Sequence, residues 1–378
     1  MRVAILGAGP AGLYLAYLIK RRDAGAEVRV FEQNSADATF GFGVVFSDRA
    51  LEFLNDDDPE TFAAIVPHLE SWRDIAVVHR GDRIRIDGVG FAAIGRLKLL
   101  QLLQARARSV GVAPSYRHAV ATLSEVGDAD LIVGADGVNS LVRRTHAAAF
   151  GARTTYLTNR FAWFGTSKPF VTLTQTFRHG DLGDFNAHHY RYAPAMSTFI
   201  VEVTEATFDR AGFEHMGEAE SAIACARVFA DDLDGHPLVS NHSVWRRFPI
   251  VRNARWSHDR CVLIGDALHT AHFSIGSGTR LAMEDAIALD RALAAHRADV
   301  PAALSAFEAA RRPIVEKLVE AANASGAWYE RFADHMTLAP LDFAMGYLTR
   351  SGRIDPQRLR QSSPRFAERY AREGTSQV

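Results

Sequence analysis

The sequence predicts an α/β protein in which two distant parts of the chain build one parallel sheet, with an antiparallel sheet inserted between them and helices at the C-terminus. Three observations lead to this prediction. A glycine-rich turn joins a buried strand to a helix at residues 3–20. A strand followed by Gly-Asp, at residues 260–266, is typical of the same kind of sheet. Four segments of alternating polarity lie between them, at residues 161–204.

The glycine-rich turn lies between an apolar strand, Val3–Leu6, and an apolar helix, Leu13–Lys20, and its glycines follow the spacing G-x-G-x-x-G. Gly7 allows the tight turn, Gly9 lets the backbone approach a pyrophosphate, and Gly12 lets the helix pack against the sheet. The free N–H groups at the start of the helix, with its dipole, favour bound phosphates. This unit predicts a Rossmann-type dinucleotide site.

An acidic residue follows at the distance that such a site requires. A second predicted strand, Glu27–Phe31, leads into Glu32, which lies 20 residues beyond Gly12. A carboxylate at this distance accepts hydrogen bonds from the adenosine ribose of a dinucleotide. The same unit serves NAD and FAD, so the choice between them stays open at this point.

Two later motifs favour FAD. The predicted strand Ala129–Val133 runs into Gly134–Ser140, and far downstream the strand Arg260–Ile264 runs into Gly265–His269, followed by a predicted helix, Arg280–Ala298. The sheet that begins at the N-terminus is therefore completed only in the last third of the chain. An NAD dehydrogenase normally closes its nucleotide-binding fold within the first half.

Together, the motifs at Gly7–Gly12 with Glu32, at Gly134–Gly137 and at Gly265-Asp266 resemble those of the single-component (class A) flavoprotein aromatic hydroxylases, which share the FAD-binding fold of para-hydroxybenzoate hydroxylase. The resemblance implies tightly bound FAD, NAD(P)H as a transient reductant, and O2. It implies that Asp136 contacts FAD and NAD(P)H, and that Arg96 contacts FAD. The residues expected to bind the cofactor are Gly7, Gly9, Pro10, Ala11, Gly12, Glu32, Gln33, Arg96, Asp136, Gly265, Asp266, Gly276, Gly278 and Thr279.

One departure from the family pattern points to a narrower group. Many members carry a proline pair near the flavin ring, where this chain has His272-Phe273. This variant is similar to a group that contains salicylyl-CoA (salicyloyl-CoA) 5-hydroxylase, the hydroxylase domain of anthraniloyl-CoA monooxygenase and the tryptophan hydroxylase of the violacein pathway. The segments 163–167 and 196–202 also look like that group, and residues 349–355 favour its CoA-ester members.

The resemblance implies an FAD-dependent NAD(P)H monooxygenase that hydroxylates an aromatic ring through a flavin C4a-hydroperoxide. We expect an aryl-CoA thioester as substrate, with salicyloyl-CoA hydroxylated at position 5 to gentisyl-CoA, because attack para to an electron-donating hydroxyl is favoured. One alternative is a hydroxylase of an indole or tryptophan-derived intermediate in secondary metabolism. Another is a flavin-binding redox protein without hydroxylation. A CoA phosphate favours arginine contacts, but the sequence does not indicate which arginines, and Arg246-Arg247 is interpreted as a surface feature.

The chain is expected to divide into a discontinuous FAD-binding domain, a substrate-binding β-sheet domain and a helical tail. The FAD-binding domain takes residues 1–70, 91–155 and 251–330; the substrate-binding domain takes 71–90 and 156–250; and the tail takes 331–378. Predicted strands of the inserted sheet are Phe161–Ser167, Thr172–Arg178, Phe185–Tyr192 and Thr198–Thr204, with a hairpin at Asp74–His79 and Asp82–Asp87. A long helix at Pro301–Arg331, bent at Pro313, is expected to pack the domains together.

Two histidines are the catalytic candidates. Strand alternation puts His188 on one face with Tyr190 and Tyr192, where it can act on the substrate hydroxyl; the alternative is a half-buried strand residue. His272 is expected beside the flavin by resemblance, with a loop-fixing histidine as the alternative. The residues expected to contact substrate are Trp163, Tyr190, Tyr192 and Phe273, although core packing explains the aromatic residues equally well.

Composition excludes several other classes of function. With 43 Lys and Arg residues against 44 Asp and Glu, the net charge is −1, which argues against a general nucleic-acid binder. Two cysteines fit no zinc or C-x-x-C spacing, and His269 with His272 lacks further ligands, so no metal is expected. No apolar run is long enough to export the chain or span a membrane, so we expect a cytoplasmic protein. The oligomeric state is not determined by the sequence.

Overall fold

The computed structural model describes residues 1–47, 51–297 and 299–375. Its strands run through the whole first two thirds of the chain. They are β1 Arg2–Leu6, β2 Glu27–Phe31, β3 Gly43–Ser47, β4 Glu70–Trp72, β5 Ile75–His79, β6 Asp82–Ile86, β7 Phe91–Gly95, β8 Leu131–Gly134, β9 Arg153–Thr166, β10 Leu173–Gly180, β11 Gly183–Ala193, β12 Met196–Val203, β13 Leu238–Val239, β14 Arg246–Arg252, β15 Ser257–His258 and β16 Cys261–Leu263.

Helices alternate with these strands and then form the whole C-terminal third. They are α1 Pro10–Arg22, α2 Glu52–Asp57, α3 Pro59–Ile65, α4 Arg96–Ser109, α5 Leu141–Thr145, α6 Ala147–Phe150, α7 Glu205–Ala211, α8 Glu218–Val228, α9 Ala230–Leu233, α10 Gly278–His296, α11 Val300–Glu330, α12 Phe332–His335, α13 Pro340–Thr349, α14 Pro356–Ser362 and α15 Pro364–Glu373. Ala298, the predicted end of α10, and the last three residues of the tail lie outside the described residues.

A five-stranded sheet has the order β15-β16-β8-β1-β2, and β1, β2, β8 and β16 are parallel. The predicted discontinuous sheet is thereby confirmed, since β16 pairs with β8 across more than a hundred intervening residues. The carboxyl ends of β1, β8 and β16 meet at one edge. At that edge a Cβ on Gly7 would lie 2.3 Å from the carbonyl oxygen of Ala135, and a Cβ on Gly12 would lie 2.0 Å from that of Gly7. Only glycine permits this close approach.

The inserted sheet contains the four predicted strands and the predicted hairpin. Its order is β13-β9-β12-β11-β10-β5-β6, with β14 paired to β9. Strand β9 begins at Arg153, eight residues before its predicted start, and β14 was not predicted as a strand. Residues 153–158 of β9 are mostly exposed and therefore carry no alternation of apolar and polar side chains.

A small third sheet, β3-β7-β4, and the C-terminal helices complete the molecule. Helix α11 contains Pro313 and contacts both α10 and β9, as the sequence predicted for a helix that packs two parts of the chain together. Separate apolar clusters fill the space around the parallel sheet, between the inserted sheet and the C-terminal helices, and between that sheet and α7–α9. Within the described ranges, no helix is both long and apolar enough to cross a membrane. The exact domain boundaries stay a prediction.

Candidate active site

A cavity of about 1000 Å³ lies between the carboxyl edge of the parallel sheet and the inserted sheet. Nine of the fourteen residues expected to bind the cofactor line it. They are Gly9, Pro10, Ala11, Arg96, Gly265, Asp266, Gly276, Gly278 and Thr279. The strand ends and the starts of α1, α4 and α10 therefore converge on one space, which is where ligands bind in open α/β sheets.

The shape of this edge fits an extended phosphate-containing group such as FAD. A Cβ built on Gly9 or on Gly278 would meet no atom within 4 Å, so at both places bare backbone faces open space. Gly9 precedes the 13-residue helix α1, whose first N–H groups point toward the space beyond it. Backbone N–H groups with room for a ligand are what a pyrophosphate requires.

Glu32 lies at the end of β2 but does not line the cavity. Its carboxylate accepts hydrogen bonds from the backbone N–H of Ala8 at 2.9 Å, the N–H of Asn34 at 2.9 Å and the side-chain amide of Asn34 at 2.8 Å. Glu32 therefore fixes the glycine-rich turn to the second strand, and its contact with a ribose stays a prediction. Gln33 is exposed and also lies outside the cavity lining.

Asp136 stands behind the cavity wall. One of its carboxylate oxygens accepts a hydrogen bond from the N–H of Leu141 at 2.6 Å, and burial raises the pKa of this carboxyl. The next three residues, Gly137, Val138 and Asn139, line the cavity. The Asp136 carboxylate thus shapes the turn that borders the cavity.

Arg96 and Asp266 provide the opposite charges of the cofactor side. Arg96 is the first residue of α4, its backbone N–H is bonded to the carbonyl of Phe42 at 2.8 Å, and its guanidinium pairs with no carboxylate in the part of the chain that the structure describes. Burial lowers the pKa of Arg96, and the charge of the nearby Asp266 opposes that shift. Asp266 itself is exposed to the open cavity. Both groups are free to bind a polar ligand.

A buried ion-pair network supports the Gly265-Asp266 turn from below. Asp285 of α10 accepts hydrogen bonds from the N–H of Gly265 at 3.0 Å, from His269 at 2.9 Å and from Arg311 at 2.9 Å. These partners keep the pKa of Asp285 below its usual value in spite of burial. His269 thus holds the turn, and the described residues contain no group of side chains that could bind a metal ion.

The other end of the cavity is apolar and aromatic. Trp163, Tyr190 and Phe273 line it, with the rings of Trp163 and Phe273 at 6.3 Å. The Tyr190 hydroxyl donates a hydrogen bond to the carbonyl of Gly43 at 3.0 Å, so the part of Tyr190 that faces the cavity is mainly its ring. A planar aromatic substrate fits between walls of this kind.

Tyr192, the fourth residue expected to contact substrate, lies outside this cavity and lines a neighbouring one. Its ring packs against Gly43 and Gly95, where an added Cβ would lie within about 3.5 Å of the ring. The strand rises about 3.3 Å per residue, so Tyr192 stands about 13 Å beyond His188 along β11 although both belong to one face. The alternation of side chains along β11 put Tyr192 on the same face as His188, as the structure does. It could not predict where along the strand the cavity ends.

His188 lies at the aromatic end of the cavity. Both ring nitrogens are buried and have no hydrogen-bond partner among the described residues. Burial, with the nearby charge of Arg350, lowers the pKa of His188 to about 3, so the ring is neutral at physiological pH. A neutral imidazole with an unpartnered nitrogen is able to accept a hydrogen bond or a proton from a ligand.

His272 is placed differently. It is not part of the cavity lining, its Nδ1 lies 2.8 Å from the Ser274 hydroxyl, and its ring stacks on that of Phe273 at 4.3 Å. The Ser274 hydroxyl in turn contacts that of Ser325 on α11 at 2.7 Å. These contacts favour the loop-fixing alternative for His272, which supports Phe273 from behind.

A buried polar cluster behind His188 was not predicted from the sequence. Glu202 of β12 accepts a hydrogen bond from Asn159 at 2.9 Å, and its second oxygen is buried without a partner among the described residues. Burial raises the pKa of Glu202 to about 8. In the sequence Glu202 alternates with two valines and therefore resembles a solvent-facing strand residue, but α11 covers this face of the sheet.

Glu202→Gln is expected to make the holoenzyme more stable at pH 8.5 than wild type, by an amount that shrinks toward pH 5. The folded pKa lies above the unfolded value of 4.5, so wild type loses stability as pH rises from about 4.5 to about 8. The difference amounts to a few kcal/mol, or a few degrees in Tm. Thermal unfolding at both pH values measures it, with the exposed Glu214→Gln as control. A pH-independent difference would show that Glu202 is ionised throughout.

Comparison with known proteins identifies the family of this chain. The family model described as FAD binding domain matches residues 101–322, and the one described as NAD(P)-binding Rossmann-like domain matches residues 5–38. Salicyloyl-CoA 5-hydroxylase of a Streptomyces species is 43% identical over 361 residues, which cover 93% of this chain and 70% of that protein.

Two further relatives have similar coverage. A 3-hydroxy-4-methyl-anthranilyl-[aryl-carrier protein] 5-monooxygenase of Streptosporangium sibiricum is 36% identical, covering 94% of this chain and 95% of its own. Protodeoxyviolaceinate monooxygenase of Chromobacterium violaceum is 34% identical, covering 94% and 96%. The solved structure of a variant of 2-methyl-3-hydroxypyridine-5-carboxylic acid oxygenase has a TM-score of 0.69 at 18% identity, covering 96% of both chains, which confirms the predicted fold.

Proposed function

This chain belongs to the family of FAD-dependent aromatic monooxygenases, and on that premise we propose that it hydroxylates salicyloyl-CoA at position 5, giving gentisyl-CoA. The family uses FAD, NAD(P)H and O2 and acts on small aromatic molecules. The observation that carries the choice of substrate is the 43% identity to salicyloyl-CoA 5-hydroxylase over nearly the whole chain. A second relative is named for an aryl substrate attached to a carrier protein, which also favours a substrate held as a thioester of a carrier.

The residues at the edge of the parallel sheet are proposed to hold FAD. The backbone at Gly9 and Gly278 would face the phosphates, while Arg96 and Asp266 would contact the polar groups nearer the ring. Bound FAD, once reduced by NAD(P)H, would activate dioxygen, and one atom of that dioxygen would enter the ring. The protein's part is to bind the substrate, orient it and exclude water.

His188 is proposed to orient the substrate through its hydroxyl group. An unpartnered, neutral imidazole nitrogen at the aromatic end of the cavity accepts the hydrogen bond of the phenol. This contact raises the electron density of the ring at the para carbon, which in salicyloyl-CoA is position 5. It also selects one orientation of a flat molecule, and correct orientation is worth a large part of the rate.

Aromatic and aliphatic side chains are proposed to exclude water around that ring. Trp163 and Phe273 stand on one side and Ile200 of β12 lies beside His188. His272 and Ser274 hold Phe273 from behind. A dry, shaped cavity prevents side reactions with solvent.

A panel of substrates tests this proposal. Holoenzyme with NAD(P)H and air is given salicyloyl-CoA, free salicylate, salicyl-loaded carrier protein and an indole acid, and products are identified by mass spectrometry. We expect salicyloyl-CoA to gain one oxygen atom at position 5, with free salicylate left unchanged. Turnover of the indole acid alone, or of the carrier-protein thioester alone, would contradict the CoA assignment.

A further inference from the structure

A group of arginines stands at the outer edge of the cavity, where no residue was predicted from the sequence. Arg160 lies on β9, and Arg246 and Arg247 lie on β14; all three line the same cavity as His188. The sequence had suggested that Arg246 and Arg247 were ordinary surface residues. We refer to the three residues as the arginine edge.

The arginine edge carries more positive charge than its neighbours neutralise. Arg160 and Arg247 are direct partners across the two antiparallel strands, an arrangement in which like charges repel. Arg247 pairs with Glu205, which is the one carboxylate that bonds to the edge among the described residues. Arg160 has the ring of Phe208 beneath its guanidinium, at 4.4 Å, and pairs with no carboxylate among the described residues.

Several donors of the arginine edge have no acceptor. The Nε atoms of Arg160 and Arg247 are buried and without a hydrogen-bond partner among the described residues. Arg246 is exposed and forms no ion pair there. Buried donors without partners are costly, and planar guanidinium groups match the geometry of phosphate oxygens. The edge therefore offers hydrogen-bond donors and positive charge to an anion.

The positions along β9 match the order of groups in a CoA thioester. Trp163 is at the aromatic end, and Arg246, the strand partner of Phe161, lies about 7 Å further along on the same face of the sheet, with Tyr156 beyond a register shift. Arg160 and Arg247 belong to the opposite face of these strands, where the Arg160 guanidinium lies over the ring of Phe208. A pantetheine arm resembles a peptide of three to four residues and reaches about 10–14 Å. Tyr156 is 60% exposed and lines the cavity, so its ring is available for stacking with a purine.

The geometry points to the arginine edge as the binding site for the diphosphate of the CoA thioester, with the aryl group at His188 and the adenine near Tyr156. The inference rests on the proposed function, since it assigns a binding site to the CoA part of the proposed substrate. Arg246 on the face of Trp163, and the unneutralised charge of Arg160 on the other face of the same two strands, attract the two negative charges of the diphosphate. Such contacts fix how far the aryl group enters the cavity.

The test compares salicyloyl-CoA with salicyloyl-pantetheine, which has the same ring, thioester and arm but no diphosphate. Dissociation constants are measured on oxidised holoenzyme by the change in flavin absorbance. In Arg246→Ala we expect Kd for salicyloyl-CoA to rise roughly 10- to 100-fold. The preference for salicyloyl-CoA over salicyloyl-pantetheine should shrink by the same factor. Arg160→Ala should show the same rise in Kd and the same loss of preference. Its Tm and flavin content show whether the variant is folded.

Two further variants complete the test: one should bind salicyloyl-CoA more tightly, and one is a control. Glu205→Gln removes the carboxylate that competes for Arg247, so salicyloyl-CoA should bind more tightly. Arg252→Ala is the matched control, because Arg252 also lies on β14 opposite an arginine, Arg153, but is exposed and outside this cavity. Its Kd for salicyloyl-CoA should equal that of wild type.

Three results would overturn the inference. One is an unchanged Kd for salicyloyl-CoA in both Arg246→Ala and Arg160→Ala. Another is a rise in KM for NAD(P)H instead, which would assign the edge to the diphosphate of the reductant. The third is loss of binding only in Arg353→Ala, which would place the nucleotide at the C-terminal segment. Failure of the proposed function looks different, because wild type would then hydroxylate neither thioester.

Discussion

Replacing His188 by alanine is expected to lower the rate of ring hydroxylation about 100-fold while FAD remains bound. A hydrogen bond that holds the substrate ring in the reactive orientation accounts for a factor of this size. Both ring nitrogens of His188 are without a hydrogen-bond partner among the described residues, and His188 lies at the aromatic end of the cavity, apart from the glycine-rich edge. NAD(P)H consumption should continue, with hydrogen peroxide formed in place of hydroxylated product.

Product and peroxide are measured together on the same sample, and thermal unfolding shows whether the variant is folded. His179→Ala, an exposed histidine on β10, is the matched control and should behave as wild type. Because burial lowers the pKa of His188 to about 3, wild-type activity should also show no histidine titration between pH 5.5 and 8. Full yield of hydroxylated product from His188→Ala would assign this residue to packing.

Replacing Gly9 by valine is expected to abolish FAD binding, with affinity lowered by at least about 100-fold, and to leave the polypeptide folded. The backbone at Gly9 has φ −76°, which any residue adopts, and an added Cβ meets no atom within 4 Å. A side chain therefore causes no strain but fills the space in front of the N–H groups of α1. Losing two hydrogen bonds to a charged phosphate accounts for a factor of that size.

Flavin content after gel filtration, and the Tm of wild-type and variant protein stripped of FAD, provide the measurement. Gly180→Val is the control, since Gly180 also has open space around its Cβ position and lies in a hairpin away from the cavity. Retention of flavin by Gly9→Val would place the phosphates elsewhere. Loss of the folded state in that variant would contradict the open space at Gly9.

The sequence predicted the parallel edge of the site well, for a physical reason. Gly7 and Gly12 occupy places where any Cβ collides with backbone, so the local geometry admits one residue type and leaves a visible pattern. At Gly265, which completes the sheet, glycine is favoured for another reason, since its φ of 59° lies in the left-handed region. Arg96 could be identified only through the family resemblance, since a single arginine at a helix start has no pattern of its own.

The opposite side of the cavity was harder to predict. Arg160 and Arg247 are 87 positions apart along the chain, and only the register of β9 with β14 brings them together. Glu202 alternates with apolar neighbours as a surface residue does, yet helices cover both faces of that sheet. Tyr192 shares a face with His188 but stands beyond the cavity. In each case the position of the side chain depends on which strands pair and on which helices pack over the sheet. A local sequence pattern carries no information about either.

The most direct test of the account is a reaction of holoenzyme with salicyloyl-CoA, NAD(P)H and 18O2, followed by mass and NMR analysis of the product. We expect one labelled oxygen atom on ring carbon 5 and one NAD(P)H oxidised for each product molecule. A product without label, or hydrogen peroxide formed in equal amount to the NAD(P)H consumed, would contradict it.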